Sequence, residues 1–245
     1  MMQAPLFTIL PRVDSTNNYA MAKVHAGLAS HGMAWMALEQ TAGKGQRGRH
    51  WESAPGKNIA LSLVVDPETL CGQPPFFLSA LVALACADFM EQKSGAPIQI
   101  KWPNDLYWGD RKAGGILIEN LYRGASWKFA IVGIGINLNQ EGFGEEIRNP
   151  VSLKQISGVD FDVEKTAREL HQLLLIRLAA ADQTRFADLL EAYNSRLYKR
   201  NEFVLLEKEG EILPLRLKNV NSRGQLVTMG EVEQVFDFGE VNWVL

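Results

Sequence analysis

Short apolar runs and longer amphipathic stretches follow one another along the first 197 residues. Strand-like runs lie at residues 6–10, 33–40, 59–66, 98–102, 114–122 and 127–138. Helices are predicted over 14–32, which opens on N-cap residues, and over 74–95, which starts on proline and ends on glycine. From 163 to about 197 apolar residues recur at helical spacing. Residues 1–197 are therefore predicted to form one domain of sheet and helices.

The hydrophobic pattern changes after Leu197. The remaining residues read as short alternating strands, separated by Glu-Gly, Asn-Ser-Arg-Gly and Met-Gly turns. A meander of this length is typical of a small SH3-like barrel. We therefore predict a second domain over residues 198–245.

Composition and charge bear on the partners and the cellular compartment expected for this protein. The chain has 245 residues, 47% of them hydrophobic and 22% charged, with a net charge of −3, which gives no support for a nucleic-acid partner. The two cysteines do not form a C-x-x-C pair, and no signal peptide is recognisable, which fits a cytoplasmic protein. The longest apolar run, around 76–87, is shorter than a membrane span and predicts a buried helix.

One glycine-rich segment, residues 42–51 (AGKGQRGRHW), matches the dinucleotide fingerprint G-x-G-x-x-G at Gly43, Gly45 and Gly48. That fingerprint requires a helix directly after the loop, but the next strand starts only at Ile59, and Pro55 and Gly56 intervene. The Walker A spacing is also missing. A loop that carries Lys44, Arg47 and Arg49 among glycines predicts an anion site, the alternative being a solvated hairpin tip.

A second polar segment, residues 101–120, starts with Lys-Trp-Pro-Asn-Asp just past a strand. Asn104 and Asp105 could read the edge of adenine or hold Mg²⁺ at phosphates, and Lys112 precedes two glycines that a ligand could approach. The alternative is an ordinary Asn-Asp turn with a surface lysine.

Two further segments are ambiguous by themselves. Residues 14–18 (DSTNN) read as a helix N-cap, or as hydroxyls of Ser15 and Thr16 offered to a small polar ligand. Residues 133–139 (GIGINLN) read as a strand packed closely against another backbone. The four histidines have no metal-ligand spacing, and no nucleophile elbow is present.

Taken together, these segments resemble the catalytic domain of the biotin protein ligase family. The resemblance rests on VDSTN, EQTAGKGQRGRHWES, GKNIALSL, KWPNDLYWGDRKAGGILIE and GIGINLN in this order, followed by the C-terminal meander. It implies an α+β fold like that of class II aminoacyl-tRNA synthetases, with a mixed, largely antiparallel sheet, flanking helices and an SH3-like C-terminal barrel. No DNA-binding module fits before residue 14, so the ligase-only class is expected.

The resemblance also implies roles for individual residues. Biotin-binding residues would be Ser15, Thr16, Asn17, Gln40, Gly43, Lys44, Gly45, Gln46, Lys112 and Gly115. Nucleotide-binding residues would be Arg47, Arg49, Trp51, Asn104, Asp105 and Asn137. Lys112, Arg49 and Arg47 would be catalytic, and Asp105 would hold Mg²⁺. The loop departs from the family at Lys44 and Gln46, where family members often have arginine; lysine lacks the bidentate fork and glutamine lacks the charge.

The implied activity is the ATP- and Mg²⁺-dependent conversion of biotin to biotinyl-5'-AMP, followed by transfer to a lysine of a biotin carboxyl carrier protein of acetyl-CoA carboxylase or a related carboxylase. A homodimer is possible, and neither a nucleic acid nor a membrane is an expected partner. Two alternatives stay open: a lipoate-type cofactor ligase, and a non-catalytic sensor of biotin or a nucleotide.

Overall fold

The computed structural model describes residues 6–144 and 149–244. Seven strands form the larger sheet: β1 (Phe7–Leu10), β2 (Ala34–Ala37), β3 (Ile59–Val65), β4 (Gln99–Lys101), β5 (Asp105–Trp108), β6 (Arg111–Arg123) and β7 (Ser126–Ile136). Their order is β1-β2-β3-β7-β6-β5-β4. The pair β1–β2 is parallel and every other pair is antiparallel, which confirms the mixed, largely antiparallel sheet.

Within the described residues, five α-helices accompany this sheet: α1 (Thr16–His25), α2 (Pro75–Ser94), α3 (Leu153–Ser157), α4 (Val163–Ala179) and α5 (Phe186–Ser195). The core is one cluster of buried apolar side chains, to which Phe77 and Leu78 of α2 and Leu61 and Leu63 of β3 all belong. The burial predicted for this apolar helix is confirmed. The predicted helix over 74–95 agrees with the observed Pro75–Ser94. The expectation that its apolar run is too short for a membrane span does not hold for the whole helix, whose 20 residues are long and apolar enough to cross a membrane by that test alone, although 67% of the apolar window is buried inside the protein.

Helix α1 is shorter than the sequence pattern suggested. It ends near Ala26 instead of Gly32, because Gly27 takes a left-handed backbone with φ of 68°. The amide of Leu28 then bonds the carbonyl of Lys23, and that of Gly27 bonds Val24, which is a Schellman C-cap. Gly27 was the stop signal that the pattern-based prediction overlooked.

Two elements were missed in the sequence. Strand β5 and the start of β6 form a hairpin inside residues 103–114, a stretch that lies between the predicted strand-like runs 98–102 and 114–122. Helix α3 starts with a capping box in which Ser152 and Gln155 bond each other's backbone amides. This second element did carry a local sequence signal, Ser-x-x-Gln.

The C-terminal meander is confirmed as a separate antiparallel sheet. Its strands are β8 (Phe203–Lys208), β9 (Glu211–Val220), β10 (Leu226–Met229), β11 (Glu233–Phe236) and β12 (Asn242–Val244), in the order β11-β10-β9-β8-β12. The indole of Trp102 donates to the Gly224 carbonyl, 2.9 Å, and the indole of Trp243 donates to the Trp102 carbonyl, 3.0 Å. These bonds seat the second sheet beside the Lys-Trp-Pro-Asn-Asp turn.

Candidate functional site

A cleft of about 690 Å³ lies between the larger sheet, the glycine-rich loop and the end of the second sheet. It brings together the sequence segments that had been singled out, although they are far apart along the chain. All of the predicted site residues line it except Gly43 and Asn137. The convergence of these residues makes this cleft the candidate functional site.

The start of α1 forms a polar floor. Both the amide and the hydroxyl of Thr16 donate to Oε1 of Gln40, at 2.8 and 3.1 Å. Ser15 is the N-cap, yet its buried hydroxyl makes no capping bond, so it is not committed to holding the helix. The floor therefore offers hydroxyl and amide groups to a small polar ligand, as the second interpretation of this segment requires.

Asn17 is held from several sides. Its Oδ1 lies 2.6 Å from the hydroxyl of Ser62 on β3, and its Nδ2 donates to the Leu117 carbonyl, 3.3 Å, and to Oε2 of Glu119, 2.8 Å. Both amide hydrogens are thus used inside the protein. Gly133 on β7 makes room for this side chain, since a Cβ there would lie 2.3 Å from Asn17 Oδ1.

The glycine-rich loop folds back on itself as a small hairpin. Gly45 N donates to Arg49 O, 2.7 Å, and Trp51 N donates to Gly43 O, 2.9 Å, around a 3₁₀ turn over Gln46–Gly48. The strands on either side, β2 and β3, are adjacent and antiparallel. No crossover helix lies between them, which confirms the rejection of the dinucleotide-binding interpretation.

The loop cations reach two different partners. Lys44 Nζ lies 3.4 Å from Oε1 of Glu119, on the larger sheet. Arg47, with a left-handed φ of 55°, donates to Oδ1 of Asn242 on β12, 3.2 Å. The Asn242 amide donates in turn to Glu207. The pKa of that carboxyl is lowered by this bond first, then by the Gly210 amide and by the charge of Arg47.

Trp51, at the end of the loop, lies against the middle of the sheet. A Cβ at Gly135 would be 2.4 Å from its ring, so the glycine is what allows the indole to approach β7. The indole Nε1 is buried and has no hydrogen-bond partner among the residues that the structure describes. An unpaired buried donor at the edge of a cleft is costly without a ligand to accept its bond.

Lys112 and Asp105 form an ion pair on the β5–β6 hairpin, with Nζ and Oδ1 2.6 Å apart and side chains 26% and 19% exposed. The hairpin register places Asp105 opposite Gly115, where the missing side chain leaves the pair open to the cleft. The Asn104 amide donates to the Ile116 carbonyl, 2.6 Å. The ion pair holds the ammonium group of Lys112 at a defined strand position facing the cleft.

Asn137 lies behind this pair instead of in the cleft. Its buried amide donates to the Lys112 carbonyl, 3.3 Å, and to the Val151 carbonyl, 3.1 Å. It thereby fixes the backbone that carries Lys112. Gly43 also lies outside the lining, since its backbone packs against Trp51 and the Gln40 side chain.

Sequence reasoning missed the wall that the second sheet supplies. Phe238, Gly239, Val241, Asn242 and Trp243 all line the cleft. Lys101 Nζ, in the turn that the sequence did single out, lies 5.0 Å from the rings of both Tyr107 and Trp243. No local pattern could have shown this contact, because Lys101 and Trp243 are 142 residues apart in the chain.

Comparisons with a family profile, with curated proteins and with solved structures all match ligases of biotin or lipoate. The profile of the biotin/lipoate A/B protein ligase family matches residues 9–137. The biotin--[acetyl-CoA-carboxylase] ligase of Paracoccus denitrificans is 32% identical over 243 residues, which cover 95% of this chain and 98% of that protein. The bifunctional ligase/repressor BirA of Escherichia coli is 32% identical over 202 residues, 80% of this chain.

The chain spans 59% of the length of that bifunctional relative. Among solved structures, the biotin protein ligase from Aquifex aeolicus in complex with biotin and ATP superposes with a TM-score of 0.81 and 26% identity. That match covers 97% of this chain and 98% of the other. The similarity thus extends over both sheets.

Proposed function

Because the chain belongs to the biotin/lipoate A/B protein ligase family, we propose that it is a biotin protein ligase, an enzyme that uses ATP to activate biotin and transfers it to a protein lysine. One observation carries the proposal most directly. A single cleft is lined by the polar floor at Ser15, Thr16 and Gln40, by the cationic glycine loop, and by Lys112. These are the groups that the reaction requires.

A carboxylate does not acylate an amine at neutral pH, so it first needs a good leaving group. In the proposed first step a carboxylate oxygen of biotin attacks the α-phosphorus of ATP, and the bond to pyrophosphate breaks. Both reactants are anions. Lys112 and the loop arginines Arg47 and Arg49 would stabilise the charge where they meet, and the floor would position biotin.

In the second step the neutral amine of an acceptor lysine attacks the acyl carbon of biotinyl-5'-AMP, and AMP leaves. The mixed anhydride must be protected from water in the meantime. Closure of residues 42–51 over the cleft would provide this protection. The buried Nε1 of Trp51, which has no hydrogen-bond partner in the part of the chain that the structure describes, supports binding of the nucleotide at this end of the cleft, where a nucleotide atom would accept its hydrogen bond.

Mg²⁺ would enter with the ATP phosphates. Magnesium commonly keeps several waters and takes only one or two protein carboxylates, so the single carboxylate of Asp105 fits this use although its Oδ1 already pairs with Lys112. The ion would neutralise phosphate charge. Asn104 and Asn137 would act at the nucleotide end, Asn137 through the Lys112 backbone that it holds.

The acceptor would be a biotin carboxyl carrier protein or domain of acetyl-CoA carboxylase or a related carboxylase, the substrate class that the names of relatives such as the Paracoccus ligase indicate. Two free cysteines, and an α2 whose apolar window is 67% buried inside the protein, support the proposal of a cytoplasmic enzyme. We propose residues 1–197 as the catalytic domain and 198–245 as the SH3-like domain. A homodimer belongs to the same hypothesis.

The experiment is incubation of the protein with ATP, Mg²⁺, biotin and a carrier domain, followed by mass measurement of the carrier. A gain of one biotinyl group is expected. Biotin-dependent ATP–pyrophosphate exchange that lipoate cannot support would reject the lipoate-type alternative. No exchange at all would favour the non-catalytic sensor and refute the proposal. Exchange without any transfer to a carrier would show that biotin is activated but would refute the ligase step.

A further inference from the structure

Glu119 on β6 touches both the floor of the cleft and the glycine loop. Its Oε2 accepts a hydrogen bond from Asn17 Nδ2, 2.8 Å, and its Oε1 lies 3.4 Å from Lys44 Nζ. The two oxygens of one carboxylate therefore join α1 to the loop. Glu119 is the last residue of the segment KWPNDLYWGDRKAGGILIE, but no role was predicted for it.

From this geometry we infer that Glu119 is a positioning residue, and that Lys44 anchors the glycine loop to the sheet through it instead of pairing with the substrate. The inference rests on the proposed function only for its kinetic consequences. The anchor itself is a property of the folded chain. It assigns a purpose to the lysine that stands where related loops often have arginine.

The chemistry of lysine suits this role. An ammonium is a compact charge that pairs with one carboxylate oxygen from several directions, whereas a guanidinium favours a planar, two-oxygen contact. Here the second oxygen of Glu119 is already taken by Asn17, so only one is offered to the loop. A lysine satisfies this arrangement without disturbing the Asn17 bond.

The position of Glu119 also explains how the floor and the loop are coupled. Asn17 is fixed by Ser62, Leu117 and Glu119, and Lys44 follows the glycine at the start of the loop hairpin. Both side chains of the Lys44–Glu119 pair are partly exposed, at 42% and 31%, so the pair is weak and sensitive to salt. A weak anchor holds the loop near the cleft and still lets it open for substrates.

The test compares Glu119→Gln, Lys44→Met and the double variant with the wild type. The first measurement is the rate of trypsin cleavage after Arg47 and Arg49 in ~0.05 M and ~0.5 M NaCl. In low salt each single variant should be cleaved about two- to five-fold faster than the wild type, and the double variant no faster than either. High salt should raise wild-type cleavage to the variants' level and leave theirs unchanged.

The second measurement is biotin-dependent ATP–pyrophosphate exchange. Glu119→Gln should raise the KM for biotin about two- to five-fold and change kcat less than about two-fold, since Glu119 touches no reacting atom. Glu119→Ala also loses the Asn17 bond and should raise the KM further, with unfolding measured alongside to confirm that it folds. Glu233→Gln, which breaks the 2.7 Å pair with Lys218 on the second sheet, is the matched control and should change neither readout.

Additive effects of the two single variants, or wild-type cleavage of Glu119→Gln in low salt, would overturn the inference. A wild-type protein that shows no exchange would instead refute the proposed function. The trypsin measurement would still decide the role of the pair in that case.

Discussion

Replacing Gly133 with alanine tests whether the floor of the cleft is as rigid as its hydrogen bonds indicate. The new Cβ would lie 2.3 Å from Asn17 Oδ1 and 2.9 Å from its Cγ, where ordinary contact starts at 3.4 Å. Asn17 cannot simply swing away, because Ser62, Leu117 and Glu119 hold it. Either the strand or the start of α1 must move.

The expected cost follows from these contacts. Overpacking at a buried position costs about 1–3 kcal/mol, and weakening one Asn17 hydrogen bond adds about 1 kcal/mol. Gly133→Ala should therefore lower the free energy of unfolding by about 2–4 kcal/mol. If the neighbouring Thr16–Gln40 floor also shifts and loses about 1 kcal/mol, the value of one hydrogen bond, the KM for biotin should rise about five-fold.

Two other glycines serve as comparisons, with urea unfolding and the exchange assay as measurements. In Gly135→Ala the new Cβ would lie 2.4 Å from the Trp51 ring, but that ring is on a loop and can move away. This variant should therefore raise the KM for ATP and lose less stability than Gly133→Ala. Gly142→Ala meets nothing within 4 Å and should be neutral. A Gly133→Ala variant with wild-type stability and biotin KM would refute the rigid floor.

Three further outcomes are expected. Lys112→Ala should reduce pyrophosphate exchange about 10²–10³-fold, because the cation facing the cleft is lost. Circular dichroism should show that the fold is retained. Exchange near the wild-type rate would show that Lys112 has no part in the mechanism. Residues 43–50 should be cut readily by trypsin without ligand and protected by biotinyl-5'-AMP; equal cleavage in both states would argue against a closing loop. Burial lowers the pKa of His171 below its usual 6.5. As the pH falls through 6.5, the imidazole is therefore protonated in the unfolded chain before it is protonated in the folded protein. The free energy of unfolding should consequently decrease between pH 7 and 5.5. In urea unfolding His171→Gln should lose less over that range, and an identical pH dependence in both proteins would contradict this assignment.

Much of the fold was readable from the sequence because its elements are locally determined. The apolar run of α2, flanked by proline and glycine, and the strand pattern of β3 and β7 each specify their own structure. The mistakes were equally local. Gly27 ended α1 early, and β5 was hidden in a polar segment because its pairing with β6, not its composition, makes it a strand.

The candidate site was predictable in its parts and not in its assembly. The sequence alone shows that the spacing from Gly48 to Ile59 is too short for a crossover helix. It also shows that the glycine loop occurs together with Lys-Trp-Pro-Asn-Asp in one chain. It could not show that Asn137 lies behind Lys112, because that depends on the pairing of β6 with β7 and the return of residues 149–151.

The sequence by itself thus determined the residue types and most of the backbone elements of this protein, since helix ends, turns and short loops depend on neighbours in the chain. Only the tertiary structure decided which charges meet. Lys44 and Glu119 are 75 residues apart, and Arg47 and Asn242 are 195 apart. Contacts over such separations are fixed by sheet order and packing, which no short stretch of sequence encodes.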